Sequence, residues 1–165
     1  MKSVCSILEV YDHDRSFQVY GFGGIPENRN EVDHCFPVNN NYEKPEVKDT
    51  DDMIEKYKVS LDKIKLSMPT LFTKVIEKQM QLIETKAKKI QKFLPTNYNI
   101  LLIFTDGEIE SMQETKNLIV DASSLPLSVI IIGIGEGSFI KMYELDSDDT
   151  PLRNSSQKLA ARDMV

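Results

Sequence analysis

The most suggestive chemistry in the chain is Asp106, which stands in Thr105-Asp106-Gly107 directly after the apolar run Ile100-Leu101-Leu102-Ile103-Phe104. A carboxylate flanked by a hydroxyl and a glycine at the end of a buried strand suits a hard divalent cation, which takes oxygen ligands. In open parallel sheets, ligands gather outside the carboxyl ends of the strands. The same tripeptide equally fits a turn aspartate capping the next helix. Other chemistry-bearing residues carry weaker signals. His13 lies in the charged turn Asp12-His13-Asp14-Arg15 and His34 beside a possible edge strand, so both read as surface histidines rather than bases. Gly133-Ile134-Gly135-Glu136-Gly137 follows a strand but lacks the Lys-Ser/Thr of a phosphate loop, so it reads as a strand-end turn. Asp146, Asp148 and Asp149 do not continue into a twelve-residue calcium loop and read as a solvated acidic loop. Cys5 and Cys35 show neither disulfide-framework nor zinc spacing and read as reduced and mostly buried. An enzyme would need a nucleophile beside a base or a phosphate-cradling loop, and neither pattern is evident.

The elements that must position Asp106 follow from hydrophobic periodicity. Val4, Ile7, Leu8 and Tyr11 recur at helical spacing. Phe17 to Phe22 alternates as a half-buried strand, and Gly23-Gly24 with Pro26 and Asn28 predicts a turn. Cys35-Phe36-Pro37-Val38 reads as a short edge strand because proline cannot donate to a central ladder, and residues 39 to 49 are polar without period. Thr50 with the acidic residues after it predicts a helix start, with Met53, Ile54, Tyr57, Leu61 and Ile64 as its stripe. After the break at Ser67-Met68-Pro69-Thr70, a longer helix is predicted from about Leu71 to Leu94. Phe72, Val75, Ile76, Met80, Ile83, Ala87 and Ile90 face inward in it, and Pro95-Thr96-Asn97 closes it. Asn99–Phe104 and Leu127–Ile134 are near-continuous apolar runs, the mark of parallel strands covered on both faces. Met112 to Ser123 supplies the helix between them, a parallel crossover unit. A short helix around Phe139 to Leu145 follows, and Lys158 to Val165 begins a further element.

With 165 residues the chain fits one domain with a real core. An apolar fraction of 41% and a charged fraction of 28% place it among folded globular chains. Its 26 acidic against 20 basic side chains give a net charge of -6, which argues against a nucleic-acid groove. Lys86, Lys88, Lys89 and Lys92 do cluster, but Glu77 and Glu84 share their helix, so the cluster reads as a solvated face. No apolar run is long enough to span a bilayer, and no secretory or lipidation signal is evident, so the expected address is the cytoplasm.

Several segments together resemble the copine A domain. They are Ile103-Phe104-Thr105-Asp106-Gly107, the run from Leu125-Pro126 to Gly133-Ile134-Gly135, Tyr11-Asp12-His13-Asp14, Gly21-Phe22-Gly23 and Ile25-Pro26. Order and spacing agree, and Pro69-Thr70, Leu145-Asp146 with Asp148-Asp149, and Arg162-Asp163 extend the similarity over nearly the whole chain. The resemblance implies an α/β fold of von Willebrand factor A type: a doubly wound, mostly parallel sheet with helices on both faces. Residues 1–165 would form a single such domain, partial in that its first and last strands are expected to fall outside the sequence.

Domains of this kind build a metal-ion-dependent adhesion site from three loops. The resemblance places Thr70 on the threonine of the second loop and Asp106 on the aspartate of the third, for magnesium or manganese. The first loop, Asp-x-Ser/Thr-x-Ser, would precede the initial helix, so the site is expected to be weak or absent in this chain. The implied function is an intracellular, non-enzymatic protein-interaction module whose partner supplies an acidic residue to the metal, in a family linked to calcium-dependent phospholipid binding through modules outside this sequence. Expected partners are proteins, with recruitment to membranes or nucleus through them, no nucleic acid, no direct membrane insertion, and self-association through an exposed sheet edge. The competing reading is a metal-free structural or degenerate domain, or a component of a ubiquitin-ligase-type relative without catalytic activity of its own. Two cysteines and two histidines cannot build the two zinc sites of such a ligase module.

Overall fold

The computed structural model describes residues 1–12, 15–89, 97–146 and 150–165. They form two compact units, Met1–Thr70 and Leu71–Val165.

The first unit opens with helix α1 (Lys2–Glu9), which buries Cys5, whereas Ile7 and Tyr11 of the expected apolar stripe are exposed and Val4 and Leu8 are half-buried. Four short strands follow, β1 (Phe17–Gln18), β2 (Tyr20–Gly21), β3 (Gly24–Pro26) and β4 (Phe36–Pro37), then β5 (Glu46–Val47), helix α2 (Thr50–Leu61) and β6 (Ile64–Leu66). The predicted continuous strand from Phe17 to Phe22 is divided at Val19: β1 pairs antiparallel with β5, and β2 with β4. The Val19 carbonyl still accepts from Val38 N at 3.0 Å, so the chain changes partner there without leaving that carbonyl unpaired.

The turn expected at Gly23-Gly24 is instead the entry to β3, which pairs antiparallel with β6. Ile64, read from its spacing as the last member of a helical stripe, belongs to β6; α2 ends three residues earlier. Phe36 explains the glycines here, because a Cβ on Gly21 would run into its ring. A bulky core aromatic is seated by removing side chains from its neighbours.

Helix α2 starts where expected. The Asp49 carboxylate caps it by accepting from Asp52 N at 2.9 Å, and Asp51 and Asp52 lie in the first turn, where negative charge is favoured. Glu9 Oε2 accepts from the main-chain N and the Oγ1 of the buried Thr50, at 3.3 and 2.5 Å, which ties α1 to the start of α2.

The second unit is built on helix α3 (Thr73–Lys89), strand β7 (Asn99–Thr105), helix α4 (Met112–Ala122), strand β8 (Leu127–Gly133) and the short helix α5 (Ile140–Tyr143). β7 and β8 pair in parallel in register from Asn99↔Leu127 to Thr105↔Gly133, with α4 between them in sequence: the strand–helix–strand unit that the two apolar runs predict. Phe72, Val75, Ile76, Ile83, Ile119 and Val120 are buried, and α3 contacts both α4 and β7. Of the predicted inward face of α3, Ala87 is exposed; Ile90 and the closing Pro95-Thr96 lie outside the described residues.

The sheet departs from the expected burial. Ile103, Thr105, Leu127 and Val129 share one face and are buried, whereas Ile100, on the other face, is 47% exposed. All the buried residues of the pair lie on that face, where Leu101 and Ile131 are half-buried, and none lies on the other, although the strand sequences are largely apolar on both.

The C-terminal residues are neither helix nor strand apart from an isolated bridge, Arg153↔Leu159, yet they run along β8. Val129 N donates to Met164 O at 2.6 Å, Ala161 N donates to Ser123 Oγ at 2.7 Å, and Arg162 Nη2 donates to the carbonyls of Leu125 and Leu127. No helix among the described residues is long and apolar enough to cross a membrane.

Candidate functional site

The loop after β7 is shaped from the strand outward. Thr105 is buried, its carbonyl accepts from Ile134 N at 2.7 Å, and its Oγ1 accepts from Gly107 N at 3.2 Å. The chain can turn so sharply because Gly107 adopts φ +100°; a Cβ there would sit 2.5 Å from the Ser138 carbonyl and 2.9 Å from the Phe139 ring. The buried Ile109 anchors the far side of the loop. Lys141 Nζ then donates to Ile109 O at 3.0 Å and to Glu108 Oε2 at 3.2 Å, clasping the loop to α5.

Held this way, Asp106 is exposed at the carboxyl end of the parallel pair. Its Oδ1 accepts from Glu108 N at 3.3 Å, an Asx-type turn, while Oδ2 has no protein partner among the described residues. The helix-capping alternative is not met: α4 begins at Met112 with Ser111 as its N-cap, beyond the reach of Asp106. One oxygen serves the turn and the other is left for solvent or a ligand.

Thr70, the other residue implied as a ligand, ends the first unit, whereas Asp106 belongs to the second. It follows the cis Met68–Pro69 peptide, is half-buried, and its hydroxyl has no hydrogen-bond partner among the described residues. The segment before it is held by Ser67 N donating to Gly23 O at 2.9 Å. A hydroxyl and a carboxylate with free lone pairs are chemically suited to magnesium or manganese. Among the described residues no three His, Cys, Asp or Glu side chains gather as a metal cage.

The remaining candidates fall elsewhere. His34 is half-buried rather than a surface residue, with a buried Nδ1 that has no partner among the described residues. His13 lies outside the described residues, as does the acidic loop beyond Asp146. Cys5 is buried and Cys35 is half-buried, and neither is in a disulfide. Burial pushes the Cys5 thiol pKa up, away from the thiolate. Sequence reasoning did not single out Lys141 or Phe139 as supports of the Asp106 loop. The only advance signal was glycine at positions 107 and 133, both of which lie against the Phe139 ring.

A parallel strand–helix–strand unit makes the second unit an α/β structure, with the Asp106 loop at the carboxyl end of its strands. The copine family model matches residues 1–165, and the chain belongs to the copine family. It is similar to nicotinic receptor-associated protein 1 of Caenorhabditis elegans, with 38% identity over 167 residues that cover 100% of this chain and 25% of the relative. The protein of the same name from Caenorhabditis briggsae is likewise 38% identical, with 25% of its length covered. Copine-C of Dictyostelium discoideum is 40% identical over 165 residues, 99% of this chain and 29% of that protein. The chain thus spans between a quarter and three-tenths of the length of these curated relatives.

Proposed function

We propose that this chain is a copine-type protein-interaction module that engages its partner at the strand-end loop carrying Asp106, without turnover of its own. The observation that supports this reading is the exposed Asp106 carboxylate, with one oxygen fixed in the turn and Oδ2 free, on a loop braced by Lys141 and Phe139. A braced carboxylate loses little freedom on binding. In this reading Asp106 holds magnesium or manganese directly or through water. An acidic side chain of a protein partner completes the coordination sphere. When bound, the ion supplies a positive charge that attracts a carboxylate to an otherwise acidic chain. The name of the nematode relatives, receptor-associated, supports a protein as partner. We place the module on the cytoplasmic side of the cell, reaching membranes or nucleus through its partners.

Isothermal titration of magnesium and of manganese into the chain tests the reading. Saturable binding that Asp106→Ala abolishes, with unchanged circular dichroism, is the expected result. Saturable heats unchanged in Asp106→Ala would put the ion elsewhere than at Asp106, and no saturable heat at all would favour a metal-free interaction domain.

A further inference from the structure

The first unit contains a cavity of about 220 Å³ formed entirely by its own residues, between the turn after β3, β4 and its following residues, the second half of α2, and β6. Its floor is apolar: Phe36 and Val38 are buried, and Pro37 and Ile64 complete it. Val59, an aliphatic side chain 47% exposed on α2, stands at its edge. An apolar cavity of about 150 Å³ is enough to hold benzene, so this one takes a phenylalanine or leucine side chain.

Its polar rim is one-sided. Lys56 and Lys63 stand on the α2 side, and Glu27 stands apart from them in the turn after β3. Lys63 has no carboxylate partner among the described residues, and Lys56 has only Asp52, at 3.8 Å. In a chain of net charge -6, two lysines at the edge of an apolar hollow run against the overall electrostatics. The side chain of Asn40, which also lines the cavity, has no hydrogen-bond partner among the described residues, and an exposed primary amide can pair with both groups of a peptide bond. Asn39, by contrast, is committed: its Nδ2 donates to Lys44 O and Glu46 O, and its Oδ1 accepts from Asn41 N.

We propose that this cavity is a peptide-docking site, separate from the Asp106 loop, for a partner segment that inserts one aromatic or leucine side chain and follows it with acidic residues. The apolar side chain fills the hollow against Phe36 and Val59. The acidic residues meet Lys63 and Lys56, and Asn40 pairs with the segment's backbone. Glu27 sets the polarity, since it repels acidic residues placed on the opposite side of the anchor.

The test is fluorescence anisotropy with a labelled Gly-Phe-Glu-Glu-Gly peptide at low salt, against Gly-Ser-Glu-Glu-Gly and Gly-Phe-Lys-Lys-Gly controls. The full 165-residue chain is compared with Lys63→Glu and Val59→Asp, both at exposed positions. Saturable binding of the first peptide alone, weakened about tenfold or more by each substitution, is the expected result. In parallel, amide shifts on titrating the wild-type chain should centre on Val59, Lys63 and Asn40, which tests the site even if a variant misfolds. Equal binding of the serine peptide, affinity unchanged in both variants, no saturable binding of the phenylalanine peptide, or shifts that leave these three residues untouched would overturn the proposal. Free 3-phenylpropionate binding as tightly as the peptide would overturn it too, and point to a small-molecule site.

Discussion

Asp106 owes its availability to its neighbours. Gly107 supplies the left-handed turn and leaves room for the Ser138 carbonyl and the Phe139 ring, so Gly107→Ala meets both backbone strain and a clash. The expected loss is about 2–3 kcal/mol, read as a lower urea midpoint with an unchanged slope. Thr115 is the opposite case. It is fully buried in α4, and its Oγ1 has no hydrogen-bond partner among the described residues. A buried hydroxyl that is not paired costs its desolvation, and valine has nearly the same shape without it. Thr115→Val is therefore expected to raise stability by about 1 kcal/mol in the same measurement. In the sequence Thr115 is one more hydroxyl in an amphipathic helix; only its place in the packed core gives it that cost.

At the scale of elements, the long periodic segments were legible and the short ones were not. β7, α4 and β8 fall within a residue or two of their predicted bounds because each carries a run long enough to show its period. β1 to β6 are two or three residues long, too short to display alternation, and each is defined by its pairing partner instead. The break at Val19 and the placement of Ile64 in a strand are consequences of pairing that local pattern does not contain. The segment beyond Lys158 is the same lesson in the second unit, since it is held along β8 by hydrogen bonds rather than by a period of its own. Arg162 is central to that hold: besides donating to the Leu125 and Leu127 carbonyls, its guanidinium lies 5.8 Å from the Tyr98 ring centre. Arg162→Ala should cost about 2 kcal/mol, as expected for hydrogen bonds from a charged donor. It should also speed amide exchange at Val129, whose N–H is bonded to Met164 O.

For the whole molecule, the acidic balance of the sequence and the burial in the structure together set the response to pH. Burial, with Cys35 and Glu46 as further contributors, pushes the Tyr20 phenol up to about 12. Below pH about 10 the tyrosine is neutral in both folded and unfolded chains, and this source of stability is intact. As pH rises from about 10 towards 12 the unfolded chain ionises first, so stability is lost across that window. Urea midpoints measured through it should fall steeply in the wild type and less steeply in Tyr20→Phe. The sequence by itself determined the copine resemblance, the parallel strand–helix–strand unit, the position of Asp106 at its carboxyl end and the start of α2 at Thr50. Each of these rests on a local period or a local motif. Only the tertiary structure decided which face of the β7–β8 pair is covered, that Asp106 spends one oxygen on its own turn, that Lys141 and Phe139 brace its loop, and that a lysine-edged hollow opens beside α2. Those properties depend on residues distant in sequence meeting in space, and neither composition nor periodicity encodes the meeting.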